Sequence, residues 1–191
     1  MVKVAVFASG NGSNFEALVR HQKHYKVACL IVDQEAAYAI ERAKQFNIQT
    51  YVVPKSLYNT RKAHEEAILE VLDMHQVEWI CLAGYMRIIG HTLISKYPNR
   101  IINIHPSLLP AFPGRHAIKD AYHHGVKITG VTIFYVDQGI DTGKIITQEA
   151  MYIKKGITLE NLEKEIHVIE HRIYSETLEK LIGGYDETST H

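Results

Sequence analysis

"VKVAVFASGNGSNFEALVR", from Val2 to Arg20, decides the fold that this 191-residue sequence encodes. Its first seven residues are an apolar run of strand length, and the residues from Ser13 onward have the apolar spacing of a helix. Ser13 or Asn14 could cap that helix with a side-chain oxygen. Because a strand that turns directly into a helix is the first half of a βαβ unit, the stretch predicts an α/β fold.

The alternation of strand and helix patterns continues outward from this stretch. Further strands are predicted at residues 26–33, 48–54, 77–84 and 101–106, with helices at 36–47 and 60–76 between them. After Gly114 the pattern changes to a short helix at 116–125, two hairpin strands at 127–137 and 143–155, and a long amphipathic helix at 158–182. We therefore predict an open, mostly parallel, Rossmann-like sheet with helices on both faces, a C-terminal β-hairpin and a long final helix. Residues 1–182 are expected to form a single domain, and residues 183–191 a flexible C-terminal tail.

Composition argues against several functional classes. The 21 lysines and arginines balance the 21 aspartates and glutamates, so the chain has no global attraction to nucleic acid or to an anionic membrane. No apolar run approaches the roughly 20 residues of a membrane span, and the N-terminal run is too short for a secretion signal. Cys29 and Cys81 both lie in apolar runs, which favours buried free thiols in a reducing compartment. We expect a cytoplasmic protein.

The loop "SGNGSN", residues 9–14, is the first candidate binding site. Its two glycines let the backbone approach a ligand, and the helix that follows presents free N–H groups to an anion. The loop lacks the lysine of a P-loop and the third glycine of a dinucleotide-binding fingerprint, so it suits a single phosphate better than a pyrophosphate. The alternative interpretation is a tight strand–helix turn without a ligand.

Asn103 and His105 form the second candidate site. Side chains two residues apart on a strand point to the same face, and in open α/β sheets ligands bind at the carboxyl ends of strands. If the first, fourth and fifth strands are neighbours, this pair meets both the glycine loop and the segment "AGYMR" at residues 83–87. Prolines at positions 106, 110 and 113 would then make a stiff loop that fixes the histidine. The alternative is an ordinary hydrogen-bonded pair where a strand ends.

Asp141 lies between Gly139 and Gly143 in the hairpin loop, and these glycines would allow the loop to fold over the sheet end. An aspartate beside an imidazole orients it and favours its protonated form, although an aspartate here could also serve only the turn. The sequence offers no G-x-S-x-G nucleophile, so direct acyl transfer to a substrate amine fits best. Asn103 and His105 would stabilise the oxyanion, while His105 and Asp141 would handle protons.

A competing motif is "HVIEH", residues 167–171, which matches the H-x-x-E-H pattern of a zinc peptidase family. The two histidines stand one helical turn apart, as two metal ligands would. However, only a short segment follows to supply a third ligand, so no metal is predicted. Glu170 lies beside the apolar stripe of its helix and could face a cleft at the sheet end.

Five segments carry a resemblance to a known family. "SGNGSN", "AGYMRI", "NIHPSLLPAFPG", "VDQGIDTGKII" and "EHRIY" occur in this order across nearly the whole chain, which resembles the formyltransferase family. The segment "GNGSN" points to the members that act on glycinamide ribonucleotide. The resemblance implies transfer of a formyl group from 10-formyltetrahydrofolate, as co-substrate, to the amino group of glycinamide ribonucleotide in de novo purine (IMP) biosynthesis.

The resemblance also implies roles for individual residues. Those that would bind the ribonucleotide and its phosphate are Gly12, Ser13, Asn14 and Glu170. Those that would contact the folate are Arg61, Met86, Arg87, Ile88, Ile89, Asn103, Ile140 and Asp141. The catalytic groups would be Asn103, His105 and Asp141. The expected partners are the two small-molecule substrates, without nucleic acid or membrane, and the expected state is a monomer or a homodimer.

Three alternatives remain at this point. Methionyl-tRNA formyltransferase resembles this core but carries a further C-terminal domain for RNA, whereas this chain ends after one helix and is not basic. Formyltetrahydrofolate hydrolase also resembles it but has an additional N-terminal regulatory domain, whereas this chain starts at the first strand. A non-enzymatic nucleotide-binding module would need the glycine loop but not the Asn103, His105 and Asp141 set.

Overall fold

A computed structural model of the chain describes residues 1–188. The strands are β1 (Val2–Ala8), β2 (Tyr25–Val32), β3 (Gln49–Val52), β4 (Trp79–Leu82), β5 (Ile101–His105), β6 (Ile128–Tyr135) and β7 (Ile145–Tyr152). The α-helices are α1 (Ser13–Arg20), α2 (Ala39–Gln45), α3 (Arg61–Met74), α4 (His91–Lys96), α5 (Ala117–His124) and α6 (Leu159–Thr188), and one 3₁₀ turn spans Lys55–Leu57.

The strands of the described residues form one sheet in the order β3-β2-β1-β4-β5-β6-β7. The first five strands are parallel, while β6 and β7 pair antiparallel to their neighbours and form the predicted C-terminal hairpin. The predicted open, mostly parallel sheet is therefore confirmed. Because β1, β4 and β5 are adjacent, their carboxyl ends meet at one edge, as the candidate site requires.

Side chains of the central strands alternate between two apolar layers. Val4 and Val6 face a core that α1, α2 and α6 cover, while Ala5 and Phe7 face a second core that α3 and α4 cover. The long helix α6 is anchored to the sheet by the fully buried Tyr174, whose hydroxyl lies 2.9 Å from the Leu82 carbonyl oxygen. This anchor places the middle of α6 against the carboxyl end of β4.

Three local features differ from the predicted elements. Helix α4 was not predicted, because six residues are too few to show helical periodicity. The proposed side-chain cap of α1 is wrong: Gly12 occupies the N-cap position, and no side chain among residues 1–188 caps the helix. The final helix continues to Thr188, beyond residue 182 where its apolar pattern ends. A flexible tail at 183–191 stays a prediction, and residues 189–191 lie outside the described residues.

Both cysteines are buried free thiols, as their apolar surroundings predicted. Among residues 1–188, no helix combines the length and the apolar character that crossing a membrane requires.

Candidate active site at the carboxyl edge of the sheet

A cavity of about 620 Å³ opens at the carboxyl ends of β1, β4 and β5. It is lined by residues 9–14, 82–89 and 103–106, by the β6–β7 loop, and by two side chains of α6. Three separate strand ends and the hairpin loop thus contribute to one space. A second cavity of about 780 Å³ lies between residues 21–24 and α6, and it holds none of the predicted site residues.

Asn103 presents one amide donor to this cavity. Its Oδ1 atom accepts a hydrogen bond of 2.9 Å from the backbone N–H of Ile104. A backbone N–H can only donate, so this contact fixes which end of the amide carries the oxygen. The Nδ2 group is then the end that a ligand in the cavity can approach.

His105 is held by the proline-rich loop that follows β5. Its Nε2 atom lies 2.8 Å from the carbonyl oxygen of Phe112, and its side chain is only 6% exposed. Because a carbonyl oxygen can only accept, Nε2 carries a proton in either charge state of the ring. The Nδ1 atom faces Asp141 Oδ2 at 3.6 Å, which is beyond direct hydrogen-bond length but close enough for strong attraction to a protonated ring.

Asp141 is brought to His105 by the fold of the hairpin loop. Its Oδ2 atom also accepts a hydrogen bond of 2.8 Å from the backbone N–H of Gly114. Asp141 has φ 55° and Phe112 has φ 51°, so both residues that hold the imidazole lie in the left-handed region. Non-glycine residues adopt this region uncommonly, aspartate more readily than phenylalanine, so the surrounding loops hold both residues in place.

The glycine at position 143 makes this loop geometry accessible. A Cβ atom there would lie 1.6 Å from the carbonyl oxygen of Tyr135, so no other residue fits without moving the backbone. Asp137 completes the loop by accepting hydrogen bonds from the backbone N–H of Gly139 and the hydroxyl of Thr142. These contacts give the β6–β7 loop a defined conformation.

The glycine loop leads directly into α1. Gly12 has φ 76°, and a Cβ atom on it would lie 2.6 Å from Cβ of Ala39. Among the described residues, none accepts a hydrogen bond from the backbone N–H groups of Gly12, Ser13 and Asn14. These free donors at a helix N-terminus favour an anion.

Glu170 is the buried acid of the cavity, with its side chain only 5% exposed. It accepts a hydrogen bond of 2.6 Å from Nδ1 of His167 and one of 3.4 Å from Nδ2 of Asn14. The hydrogen bond to Glu170 raises the pKa of His167 above that of an ordinary histidine. His167 thus belongs to the cavity, a role that the sequence did not assign to it.

The remainder of the "HVIEH" segment does not converge on a metal. His171 lines the other cavity, its Nε2 atom is buried without a partner, and burial lowers its pKa. Within residues 1–188, histidine, cysteine and carboxylate side chains nowhere form a group of three that could hold a metal ion.

The proposed folate contacts divide into two groups. Met86, Arg87, Ile88, Ile89 and Ile140 line the cavity, and Met86, Ile88 and Ile140 keep about half of their surface exposed. Such an apolar rim suits a flat organic ligand. In contrast, Arg61 does not line the cavity: it begins α3, is exposed, and has its Cδ atom beside Gly90.

Sequence patterns also missed two groups that shape this rim. The side chain of Asp33 is fully buried. It accepts a hydrogen bond of 2.5 Å from Nε of Arg87. Arg115 lines the cavity and donates to the carbonyl oxygen of Met86 at 3.4 Å. Asp33 directly follows a strand, which is a usable signal, whereas nothing around Arg115 distinguishes it from a surface arginine.

Comparisons with known proteins agree with this geometry. The family model for formyl transferase matches residues 2–178. The chain is 50% identical over 187 residues to the phosphoribosylglycinamide formyltransferase of Bacillus subtilis, covering 96% of both chains. It is 37% identical to a segment of the trifunctional purine biosynthetic protein adenosine-3 of Bos taurus, of which it spans 18%.

Solved structures show the same similarity. The glycinamide ribonucleotide transformylase 1 of Geobacillus kaustophilus has a TM-score of 0.91 and 48% identity, over 95% of this chain and 99% of that one. The corresponding enzyme of Symbiobacterium toebii has a TM-score of 0.92 and 39% identity, over 96% and 89%.

Proposed function

The chain belongs to the formyl transferase family, and from that premise we propose how its site carries out the reaction. The protein is an enzyme of purine biosynthesis that transfers a formyl group from a formyl-folate to glycinamide ribonucleotide. The donor is 10-formyltetrahydrofolate, and no metal takes part. The arrangement of the cavity supports the sites proposed for the two substrates and the roles proposed for the catalytic side chains.

The chemistry is direct acyl transfer. The amine nitrogen of glycinamide ribonucleotide attacks the formyl carbon, so that a C–N bond forms and the carbonyl oxygen becomes an oxyanion. When the carbonyl is restored, the bond to N10 of the folate breaks, and the proton lost by the attacking amine ends on N10. The enzyme must therefore stabilise negative charge on one oxygen and move one proton.

Asn103 and His105 supply the first of these functions. The Nδ2 group of Asn103 is the free donor of its amide, and the Nδ1 atom of His105 becomes a second donor when the ring is protonated. The carboxylate of Asp141, 3.6 Å from that Nδ1 atom, stabilises the protonated ring and can take part in proton transfer. The hydrogen bond from Nε2 to the carbonyl oxygen of Phe112 fixes the ring, so that Nδ1 stays available for oxyanion stabilisation and proton transfer.

The substrates are assigned to different segments of the cavity lining. The phosphate of the ribonucleotide binds the N–H groups of Gly12, Ser13 and Asn14, and Glu170 lies beside the amine. The folate binds the rim formed by residues 86–89 and Ile140. Since Arg61 lies outside the cavity, it would contact only a part of the folate that extends beyond it.

Location in the cytoplasm, a monomeric or homodimeric state, and the absence of nucleic-acid and membrane partners stay predictions. The balanced charge of the chain supports the predicted absence of nucleic-acid and membrane partners.

One observation carries the proposal: the glycine loop, the β5 pair Asn103 and His105, and Asp141 reach the same cavity, although these three segments are distant in the chain. The test is to measure loss of the formyl group from 10-formyltetrahydrofolate with glycinamide ribonucleotide, with methionyl-tRNA, and with neither. Loss of the formyl group should require glycinamide ribonucleotide and yield one formylated product per folate. Equal rates without any acceptor would instead indicate a hydrolase, and transfer to methionyl-tRNA would contradict the proposed substrate.

A further inference from the structure

Arg42, a residue of α2, makes three polar contacts around the glycine loop. Its Nε atom donates to the backbone carbonyl oxygen of Asn11 at 2.8 Å, and Nη2 donates to Oδ1 of the same residue at 2.9 Å. Its Nη1 atom forms an ion pair with Glu16 of α1. The guanidinium also lies over the ring of Tyr38, 5.2 Å from the ring centroid. This cation–π contact is a fourth interaction that fixes the position of the Arg42 side chain.

These contacts determine which way the loop's N–H groups point. In a trans peptide the C=O and N–H bonds point in opposite directions, and residues 10–12 have no cis bond. Arg42 holds the Asn11 carbonyl toward α2, so the N–H of Gly12 must point away from α2. In the same way, Ala39 N–H donates to the Gly10 carbonyl at 3.0 Å, which turns the Asn11 N–H away from α2.

Residues 10–14 line the cavity, whereas no described residue of α2 does, so the direction away from α2 is the one open to a ligand. No described residue accepts a hydrogen bond from the N–H groups of Asn11 or Gly12. Together with the free N–H groups at the start of α1, they form a concave row of donors of the kind that binds anions. The orientation of these N–H groups depends on the contacts that α2 makes with the carbonyl groups of the loop.

We propose that Arg42 is a positioning residue for the substrate phosphate: it fixes Asn11 so that successive backbone N–H groups point into the cavity. The proposal rests on the proposed function, because it assumes that the glycine loop binds the ribonucleotide phosphate. Arg42 itself does not contact the substrate. Its loss should therefore weaken phosphate binding while leaving the chemistry at Asn103 and His105 intact.

The test compares Arg42→Met and Arg42→Lys with Arg20→Met. Arg20 is the matched control, because it pairs with the same Glu16 but contacts no residue of the loop. In Arg42→Met, KM for glycinamide ribonucleotide and the inhibition constant of inorganic phosphate should both rise about 10–100-fold, since small misplacements of binding groups have effects of this size. The value of kcat at saturation and KM for the folate should stay within about 3-fold of the parent.

Arg42→Lys should give an intermediate rise, since an ammonium group can still attract Glu16 but cannot bond both oxygens of Asn11 in the fork geometry. This variant decides the question if Arg42→Met does not fold. Arg20→Met should leave both phosphate readouts unchanged. A second readout is the backbone amide NMR signal of Gly12, whose shift on adding inorganic phosphate should require much more phosphate in the Arg42 variants.

The outcomes separate this inference from the function on which it rests. If Gly12→Val raises KM for the ribonucleotide and the Arg42 variants do not, Arg42 has no positioning role and the loop assignment stands. If neither change affects that KM, the loop does not bind the phosphate and both assignments fail. An equal rise from Arg20→Met would mean that Glu16 and the stability of α1 are responsible, which also overturns the role of Arg42.

Discussion

His105 Nδ1 lies 3.6 Å from Asp141 Oδ2, and the other ring nitrogen, Nε2, is hydrogen-bonded to the Phe112 carbonyl oxygen. The ring therefore has one fixed proton on Nε2, and its Nδ1 atom faces the carboxylate. This relationship separates a charge role of Asp141 from a packing role, because an asparagine would keep the shape and the Gly114 contact.

Asp141→Asn should reduce turnover by roughly 10²–10⁴, the usual range for lost acid–base function. The neutral amide no longer stabilises a positive charge on His105. Steady-state kinetics across pH would measure this, with thermal unfolding to show that the fold is kept. Asp73→Asn is the control, since it removes an exposed carboxylate at the far end of α3 and should leave turnover unchanged. Near-parent turnover of Asp141→Asn would make the aspartate structural.

Asn103→Ala should lose on the order of 10²–10³ in kcat, as expected for one oxyanion donor. Because Asn103 and Asp141 are proposed to act on the same transition state, the double variant should lose much less than the product of the two single effects. The same kinetic assay gives the coupling. Fully multiplicative losses would show that the two side chains act on independent steps.

Gly12→Val should raise KM for the ribonucleotide by about 10–100-fold with little change in folate binding. A side chain at this position meets Ala39 and a φ of 76°, so the loop must move. Gly156→Val is a matched control: Gly156 has φ 79°, lies outside the cavity, and has no atom within 4 Å of a built Cβ. It should cost about 1–2 kcal/mol of stability and leave both KM values unchanged. A selective fall in folate affinity for Gly12→Val would contradict the loop assignment.

His167 and His171 should titrate on opposite sides of pH 6.5, the ordinary histidine pKa. The Glu170 hydrogen bond raises the first pKa, and burial lowers the second. For His167 the folded-state pKa exceeds the unfolded one, so its stabilising effect is complete below about pH 6.5 and is lost as pH rises through the folded value. His167→Gln should accordingly lose stability mainly at low pH, measured by denaturant unfolding. Ring NMR titrations in the reverse order would refute this account.

Cys29 and Cys81 should not react with a disulfide reagent in the native protein at pH 8, and both should react after denaturation. Burial raises the pKa of Cys29 to about 12 and that of Cys81 further, so neither forms the reactive thiolate. Ser56→Cys, at an exposed position, supplies the positive control and should react at once. Rapid native labelling of the parent would mean that these strands open readily.

The purified protein should hold no stoichiometric zinc, and chelators should leave turnover unchanged. His167 is directed to Glu170, and His171 lines a different cavity. Metal analysis before and after chelation provides the measurement. One tightly bound zinc per chain, lost together with activity, would contradict the proposed mechanism.

An open, mostly parallel sheet with two covered faces, and side chains of Asn103 and His105 on one strand face, were predictable from the sequence alone. These follow from periodicities of two and 3.6 residues, which act within a few positions of the chain. The same local rules misplaced the cap of α1, where Gly12 and not a polar side chain stands at the helix start. They also missed α4, which is too short to carry a period.

The contacts that complete the candidate site between distant parts of the chain became visible only in the tertiary structure. Asn14 meets Glu170 across 156 residues, Arg42 reaches Asn11 across 31, and Gly114 N–H meets Asp141 across 27. His167 lines the same cavity as Asn103, and His171 lines another, although the two histidines share one helix. Such contacts depend on how whole elements pack against each other, and a pair of distant polar residues leaves no periodic trace in the chain. For that reason the strand that carries Asn103 and His105 was predictable from the sequence, whereas the contacts that complete the candidate site around it were not.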